Sequence, residues 1–150
     1  MPKVDLADPT VPVRNGSDYP PPFDVPVALR RASRIGAAAG LADFGVNVLT
    51  IPPGAWSSQR HWHEADDEFL VMLSGELVLV EDGGRTAMRA GDLAVFPKNN
   101  GNGHHLINES GADARFVVVG ANKGGTTYPD IDLLHVGGEE DYRHADGRPY

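Results

Sequence analysis

The chain has 150 residues and no cysteine, and its 41% hydrophobic and 23% charged content is typical of one globular domain without disulfides or thiolate metal ligands. Its formal net charge of -8 disfavours a nucleic-acid partner, because binding to phosphates depends on Lys and Arg, and favours a small-molecule ligand or substrate. No apolar run approaches the roughly 18 residues of a membrane helix, and the chain begins without a secretory signal, so we expect no membrane partner and a cytoplasmic location.

The N-terminal part is predicted to be an extended arm, residues 1–43. Its stretch PTVPVRNGSDYPPPFDVPV, residues 9–27, is rich in prolines, which lack a backbone donor and favour extended or turn conformations. We therefore expect residues 1–27 to lie outside the core. The nearby Arg30, Arg31 and Arg34 suggest an anion-binding patch, but a solvated basic segment is the more common reading of such a run.

Short apolar runs from residue 44 onward predict β-strands, because they are rich in β-branched residues and separated by turn residues. These runs are FGVNVLTIP, EFLVMLSG, ELVLVEDGG, DLAVFP and RFVVVGAN. The two glycines of EDGGRT predict a tight antiparallel hairpin between 77–80 and 86–89. With no long helical pattern, the chain is predicted to be all-β, a sandwich or small barrel over residues 44–122, followed by a C-terminal extension, residues 123–150.

A metal site is predicted from the stretch RHWHEADDEFLVMLSG, residues 60–75. On a strand His61 and His63 point to the same side, while the intervening residue points away. If the chain turns at EADD and returns as a hairpin, Glu68 lies beside the two histidines. Glu68 shares a face with the apolar Leu70 and Met72, where a carboxylate is tolerated chiefly when it is paired or bound to a metal.

Together with a second cluster, these residues resemble the two signature motifs of the cupin superfamily. The first motif is matched by Gly54, His61, His63, Glu68 and Gly75, and the second by Gly91, Pro97, Gly101, His104 and Asn108. Two spacers depart from the pattern, with six residues between Gly54 and His61 and three between Pro97 and Gly101, which alters loops and not ligands. The flanking sequences also resemble those of small bacterial cupins.

The resemblance implies a cupin-type double-stranded β-helix, a jelly-roll barrel, with one metal ion inside. It implies that the ligands are His61, His63, Glu68 and His104. His105 faces the other way if the two adjacent histidines lie on a strand. Three imidazoles and one carboxylate suit one divalent transition metal, Fe, Mn, Co, Ni or Zn, and their pattern does not choose among these.

Other polar residues near the motifs have two readings each. Gln59 and Ser57 share the parity of the histidine pair and are candidate substrate contacts, or else ordinary polar residues at a strand end. Asp66 and Asp67 are possible acids or bases, but turn residues of this type more often make backbone hydrogen bonds. His135 and His144 have no partner at ligand spacing and are predicted to be surface histidines; no catalytic residue is assigned.

The favoured function is a metal-dependent enzyme acting on a small oxygen-rich substrate such as a sugar or keto acid, as an isomerase, lyase, decarboxylase or dioxygenase. A bound divalent ion with open positions suits this role as a Lewis acid. The alternative is a non-catalytic cupin that binds or senses a sugar or acid. A structural or storage role is disfavoured because it would leave all the ligands idle.

A homodimer is predicted from the apolar character of both faces of the strand at residues 68–74. One face lines the barrel, and the other, with Phe69, Val71 and Leu73, needs a cover. Trp56 and Trp62 have the parity to extend that outer surface, and Trp is enriched in interfaces. The cover is either the N-terminal arm or a second subunit about a two-fold axis, and we favour the subunit because prolines limit the donors of the arm.

Overall fold

The computed structural model describes residues 3–120 and 124–150 and shows an all-β protein. Its helices are a short 3-10 helix, Val25–Val27, and a five-residue helix α1, Ile35–Ala39. The strands are β1 Val13–Asn15, β2 Arg31–Ser33, β3 Gly45–Ile51, β4 Trp62–His63, β5 Glu68–Ser74, β6 Glu76–Glu81, β7 Gly84–Arg89, β8 Leu93–Phe96, β9 His105–Ile107, β10 Ala114–Gly120, β11 Thr126–Thr127, β12 Leu134–His135 and β13 Tyr142–Arg143. No helix in the described ranges is long and apolar enough to cross a bilayer.

The strands form three antiparallel sheets in a jelly-roll arrangement. The six-stranded main sheet has the order β1-β2-β3-β10-β5-β8, the second has the order β13-β12-β11-β4, and the third has the order β7-β6-β9. In the third sheet β6 pairs with β7 across the tight turn, with Glu81 opposite Gly84, so the predicted hairpin is confirmed. The fold class predicted from the short apolar runs is confirmed as well.

Alternation along β5 places one of its faces in the core. Leu70 and Met72 are fully buried, whereas Phe69 and Leu73 on the other face are 38% and 45% exposed. The buried face contributes to the main hydrophobic core, which consists of Leu49, Ile51, Ala55, Leu70, Met72, Leu77, Leu79, Met88, Phe96, Leu106, Ala114 and Phe116. Glu68 therefore begins a strand face whose next two residues, Leu70 and Met72, are apolar and buried.

The N-terminal segment is part of the fold, so the prediction that residues 1–27 lie outside the core is wrong. Strand β1 pairs with β2, and β2 pairs with β3, which extends the main sheet by two strands. Val27 is fully buried and Tyr19 nearly so. Pro9, Pro21 and Pro22 lie in turns and Pro26 in the 3-10 helix, whereas the strands β1 and β2 contain no proline and supply the ladder hydrogen bonds.

The C-terminal segment joins the fold through β11, which pairs with β4 and places Thr126 opposite His63. A second hydrophobic cluster unites the two terminal segments and is formed by Tyr19, Val27, Tyr128 and Leu133. The predicted boundary between barrel and C-terminal extension, at residues 122 and 123, lies outside the described residues. The division into arm, barrel and extension stays a prediction.

Candidate metal centre

The four predicted ligands lie together in the structure. One ligand atom from each of His61, His63, Glu68 and His104 lies within 4.8 Å of the others. His61 and His63 flank Trp62 on β4, Glu68 is the first residue of β5, and His104 directly precedes β9. His104 is buried and the other three are partly buried, so the group is shielded yet reachable from one side.

Strand pairing positions these side chains, but not through the predicted hairpin. His61 and His104 face each other across a β-bridge, whose two N–H···O hydrogen bonds measure 2.8 and 3.2 Å. β4 and β5 belong to different sheets, since β4 pairs with β11 whereas β5 pairs with β10 and β8. The hairpin between the histidine strand and the Glu68 strand is therefore wrong, and Glu68 reaches His63 from the main sheet.

Neighbouring groups fix the orientation of two imidazole rings. His61 donates its Nδ1–H to the carbonyl oxygen of Gln59 at 2.8 Å, which leaves Nε2 free to point into the centre. His104 stacks flat on Phe96, with ring centroids 3.6 Å apart. Phe96 lies opposite Glu68 in the β5–β8 ladder, so one aromatic ring supports two of the predicted ligands.

Glu68 links two of the histidines. Its Oε2 lies 3.0 Å from Nε2 of His63, and its Oε1 lies 3.2 Å from Nε2 of His104. Burial alone would raise the pKa of Glu68, but the hydrogen bonds from His104 and His63 outweigh it and hold the pKa below its usual value. For His63, burial lowers the pKa, and the bond to Glu68 more than offsets this, so the pKa is raised.

The donor set fits a divalent transition metal. Burial, with the nearby His104, lowers the pKa of His61 to about 3, so this imidazole is neutral at physiological pH, as a ligand must be. Metal–ligand bonds of about 2 Å place opposite ligands about 4 Å apart, so small side-chain movements bring the four atoms, now within 4.8 Å, to bonding distance. The Nδ1 atom of His104 is buried and has no hydrogen-bond partner among the described residues.

A cavity of about 460 Å³ opens onto this group, and His63, Glu68 and His104 form part of its wall. That size is within the range of small-molecule sites. Ser57 also lines the cavity, as its parity predicts. Gln59, the other candidate substrate contact, is not among the lining residues. Its buried amide instead donates to the carbonyl oxygen of Phe23 at 2.7 Å, which gives it a structural contact with the N-terminal segment.

His105 turns away from the metal centre. Its Nδ1–H donates to the carbonyl oxygen of Ser58 at 3.1 Å, and its ring meets Trp56 edge to face at 4.8 Å. Burial lowers its pKa. The predicted opposite orientation of His104 and His105 is confirmed.

Asp66 and Asp67 make backbone hydrogen bonds, as predicted for turn residues, although their partners lie in other segments. Asp66 accepts the N–H of Gly124 at 2.7 Å, and Asp67 accepts the N–H of Lys98 at 2.9 Å. Both residues also line the cavity beside Glu68. Their carboxylates therefore fix the turn before β5 and border the same space as the predicted ligands.

His135 and His144 stand outside the metal-ligating group found among the described residues. His135 donates to the carbonyl oxygen of Glu139 at 3.0 Å. His144 lies 2.6 Å from Asp132 through Nδ1 and stacks on Tyr150. Both are partly buried and serve the C-terminal segment.

The chain is similar to a known protein family and to solved structures. The family model of the cupin domain matches residues 47–120. A crystal structure of a sugar phosphate isomerase from a cupin superfamily, from Silicibacter pomeroyi, is 38% identical, covers 99% of this chain and 96% of its own, and has a TM-score of 0.91. The chain belongs to the cupin superfamily.

Two further structures place this cupin in the same fold. A putative sugar phosphate isomerase from Acidithiobacillus ferrooxidans is 24% identical over 79% of this chain and 77% of its own, with a TM-score of 0.72. A Cupin 2 conserved barrel domain protein from Salinispora arenicola is 26% identical over 61% of this chain and 74% of its own, with a TM-score of 0.53. None of the curated proteins compared with the chain matches it.

Two cupin motif residues that are not ligands have structural roles here. Gly75 has a φ of 74°, and a Cβ atom there would lie 2.7 Å from the backbone of Ala114, so this position requires glycine. Asn108 is fully buried and donates to the carbonyl oxygens of Ile51 and Ala112 at 2.6 and 2.8 Å. The side-chain Oδ1 of Asn108 accepts a hydrogen bond from the backbone N–H of Ser110. Both residues fix the backbone where β3 and β5 end and β10 begins.

Arg60 fixes the loops around the centre, a role that the sequence analysis missed. Its guanidinium binds both carboxylate oxygens of Asp130, at 2.6 and 2.7 Å, and the carbonyl oxygen of Gly103 at 3.1 Å. It also contacts Asp82 in the β6–β7 turn. Arg60 directly precedes His61, so these contacts tie the histidine strand to three separate segments of the cupin.

Three arginines line the cavity wall: Arg14, which the sequence analysis missed, and Arg30 and Arg34, for which it favoured a solvated segment over an anion-binding patch. Arg34 is exposed and also borders the cavity. The expectation of a solvated basic segment holds for Arg31, whose side chain is 49% exposed and pairs with Asp113. It is wrong for Arg30, which is only partly exposed and borders the cavity. Arg30 and Arg34 lie an even number of positions apart, which places two side chains on the same face only if the segment is a strand. The sequence alone did not predict a strand there.

Proposed function

We propose that this cupin is a metal-dependent isomerase of sugar phosphates, with His61, His63, Glu68 and His104 as the ligands of one divalent transition metal. The observation that carries the proposal is the convergence of these four side chains beside a cavity of about 460 Å³, whose wall includes His63, Glu68 and His104. The similarity to a protein described as a sugar phosphate isomerase, over 99% of this chain, supports the choice of reaction and substrate class.

The chemistry of the centre suits this reaction. A bound divalent cation supplies a Lewis acid that polarises a carbonyl group and stabilises negative charge on the oxygens of the substrate. The neutral imidazole of His61 and the ionised Glu68 would hold that ion, since the pKa of each is lowered. Conversion of an aldose to a ketose also requires a proton to move between neighbouring carbons, and a side chain at the cavity must carry it.

Asp66 and Asp67 are the candidates for this proton transfer. Besides Glu68 they are the carboxylates that line the cavity in the described part of the chain. Asp67 is exposed, whereas Asp66 is buried. Their backbone hydrogen bonds to Lys98 and Gly124 fix both side chains at the end of the cavity that holds the predicted ligands.

Metal analysis combined with an isomerase assay tests the proposal. Purified protein is expected to contain about one divalent transition metal per chain and to interconvert aldose and ketose phosphates in a panel followed by NMR. His63→Ala should lose both the metal and the activity because it removes a ligand. The matched control His105→Ala should retain the metal because that ring faces Trp56.

Two results would contradict the proposal. Full metal occupancy in the His63→Ala protein would show that the ligand set is wrong. Binding of sugar phosphates by the metal-loaded protein, with no turnover of any member of the panel, would instead identify a non-catalytic binding cupin.

A further inference from the structure

Three arginines surround one small residue on the inner face of the N-terminal strands. Arg30 directly precedes β2, Ala32 lies within it, and Arg34 directly follows it as the N-cap of α1. Arg14 lies directly opposite Ala32 in the β1–β2 ladder. All four residues line the cavity that the predicted metal ligands also border. Because Ala32 is small, it leaves open space between three guanidinium groups.

Two of these guanidinium groups lack a carboxylate partner. Arg14 pairs with the exposed Asp18. Arg30 donates only to backbone oxygens, those of Gly16 and Ser57. Neither Arg30 nor Arg34 has an ion pair with any residue in the described ranges, 3–120 and 124–150.

Among the described residues, the charges of Arg30 and Arg34 are therefore not paired with a carboxylate, whereas that of Arg14 is. Burial lowers the pKa of Arg30; nearness to Tyr19 opposes this shift, and nearness to Arg14 adds to it. The carboxylates of the cavity wall are Asp66, Asp67 and Glu68, which belong to the turn before β5 and to the start of β5. In a chain with a net charge of -8, a wall of three arginines is a local reversal of charge.

Arg31 on the same strand shows the contrast. It has the opposite parity, does not line the cavity, and pairs with Asp113 at 3.2 Å. Its side chain is 49% exposed. Residues 30–34 thus carry one arginine that pairs with a carboxylate away from the cavity and two at the cavity that have no such partner among the described residues.

We infer that Arg14, Arg30 and Arg34 form the subsite for the phosphate group of the substrate, with the sugar extending from it toward the metal centre. This inference rests on the proposed function and deepens it. A phosphate dianion has enough acceptor oxygens to engage several guanidinium groups, which match its geometry with paired N–H donors. A carboxylate has one negative charge and two oxygens, so it matches three guanidinium groups less well than a phosphate dianion does.

Binding of inorganic phosphate tests the subsite without requiring turnover. Isothermal titration calorimetry is expected to detect phosphate binding to the wild-type protein, and Arg34→Gln should weaken it about tenfold or more, because a charge-assisted hydrogen bond is lost. The matched control Arg31→Gln should bind phosphate like the wild type, since that side chain faces Asp113. Arg34 is preferred to Arg30 for substitution because Arg30 also holds two backbone oxygens.

Two results would overturn the subsite. Equal phosphate affinity in the wild-type, Arg34→Gln and Arg31→Gln proteins would show that these arginines do not bind the anion. Acetate binding as tight as phosphate binding would show that the wall accepts a carboxylate instead.

Kinetics separate the subsite from the reaction. If the protein is an isomerase, Arg34→Gln should raise KM for the phosphorylated sugar and leave KM for the same sugar without phosphate unchanged. If the protein turns over the sugar phosphate and Arg34→Gln changes the two KM values equally, the phosphate subsite is refuted and the isomerase activity is supported. If the protein shows no turnover but its phosphate binding depends on Arg34, the isomerase activity is refuted and the phosphate subsite is supported.

Discussion

His61 makes the stability of the protein depend on pH. Burial lowers its pKa to about 3, whereas in the unfolded chain an imidazole has a pKa of about 6.5. Between these two values the unfolded state binds a proton that the folded state does not, so stability falls as pH falls. The pKa of His105 is also lowered, so its contribution has the same sign.

The other groups of the centre act in different pH ranges. The pKa of His63 is raised, so its contribution is fully present below about pH 6.5 and is lost as pH rises through the folded value. The pKa of Glu68 is lowered, so its contribution is present above about pH 4.5 and is lost as pH falls further. Between pH 6.5 and 5 the slope therefore belongs to His61 and His105.

We predict that the metal-free protein loses roughly 2 kcal/mol of unfolding free energy between pH 6.5 and pH 5 from His61 alone. Urea titrations of chelator-treated protein at the two pH values measure this loss. The His61→Gln protein should show a shallower dependence, with only the part due to His105 remaining. An equal loss in the wild-type and His61→Gln proteins would contradict the pKa assigned to His61.

At the scale of the element, the segment between β1 and β2 is held to the barrel by a few polar contacts. Gln59 donates to the carbonyl oxygen of Phe23, and the N–H of Trp56 donates to the carbonyl oxygen of Pro26. Arg30 contacts the carbonyl oxygen of Ser57 from the same segment. The stretch from Trp56 to Gln59, just before the histidine strand, is therefore where the N-terminal segment docks.

We predict that Gln59→Leu lowers stability without changing the affinity for substrate. Loss of the donor leaves the carbonyl oxygen of Phe23 without its partner, which costs about 1–3 kcal/mol when the group stays buried. For a chain of this size, this corresponds to a fall of roughly 2–10 °C in Tm. Calorimetry measures Tm, and steady-state kinetics measure KM. A raised KM with an unchanged Tm would contradict this prediction and would indicate that Gln59 contacts the substrate.

The sequence predicted the residues of the candidate site more completely than the strands that position them. Residue type and spacing predicted that His61, His63 and Glu68 lie close together, and the resemblance to the cupin motifs added His104 to this group. The sheet that β4 joins could not be predicted, because a two-residue strand, Trp62–His63, carries no pattern of its own. The strands of the N-terminal segment were missed because the high proline content indicates missing backbone N–H donors. It does not show that short stretches between the prolines can still form strands.

At the scale of the whole molecule, the outer face of the main sheet remains apolar at one edge. Leu93 and Val95 on the edge strand β8 are 60% and 66% exposed. Val95 lies opposite Phe69, and Leu93 lies opposite Val71, so the exposed side chains of β5 and β8 form one surface. The N-terminal segment covers Trp56 instead, since that ring packs against the second hydrophobic cluster. The patch on β5 and β8 is thus left as an exposed apolar surface.

We predict that this patch joins two copies of the chain in a homodimer. A contiguous exposed apolar surface is uncommon on monomers, and two-fold symmetry lets the same patch cover itself. Light scattering at micromolar concentration should give twice the 16.0 kDa of one chain. Val95→Glu should return the mass to one chain because it buries a charge in the contact. Val25→Glu, a matched change at a valine that is 69% exposed on the N-terminal segment, should leave the dimer intact, and a wild-type mass of one chain would refute the prediction.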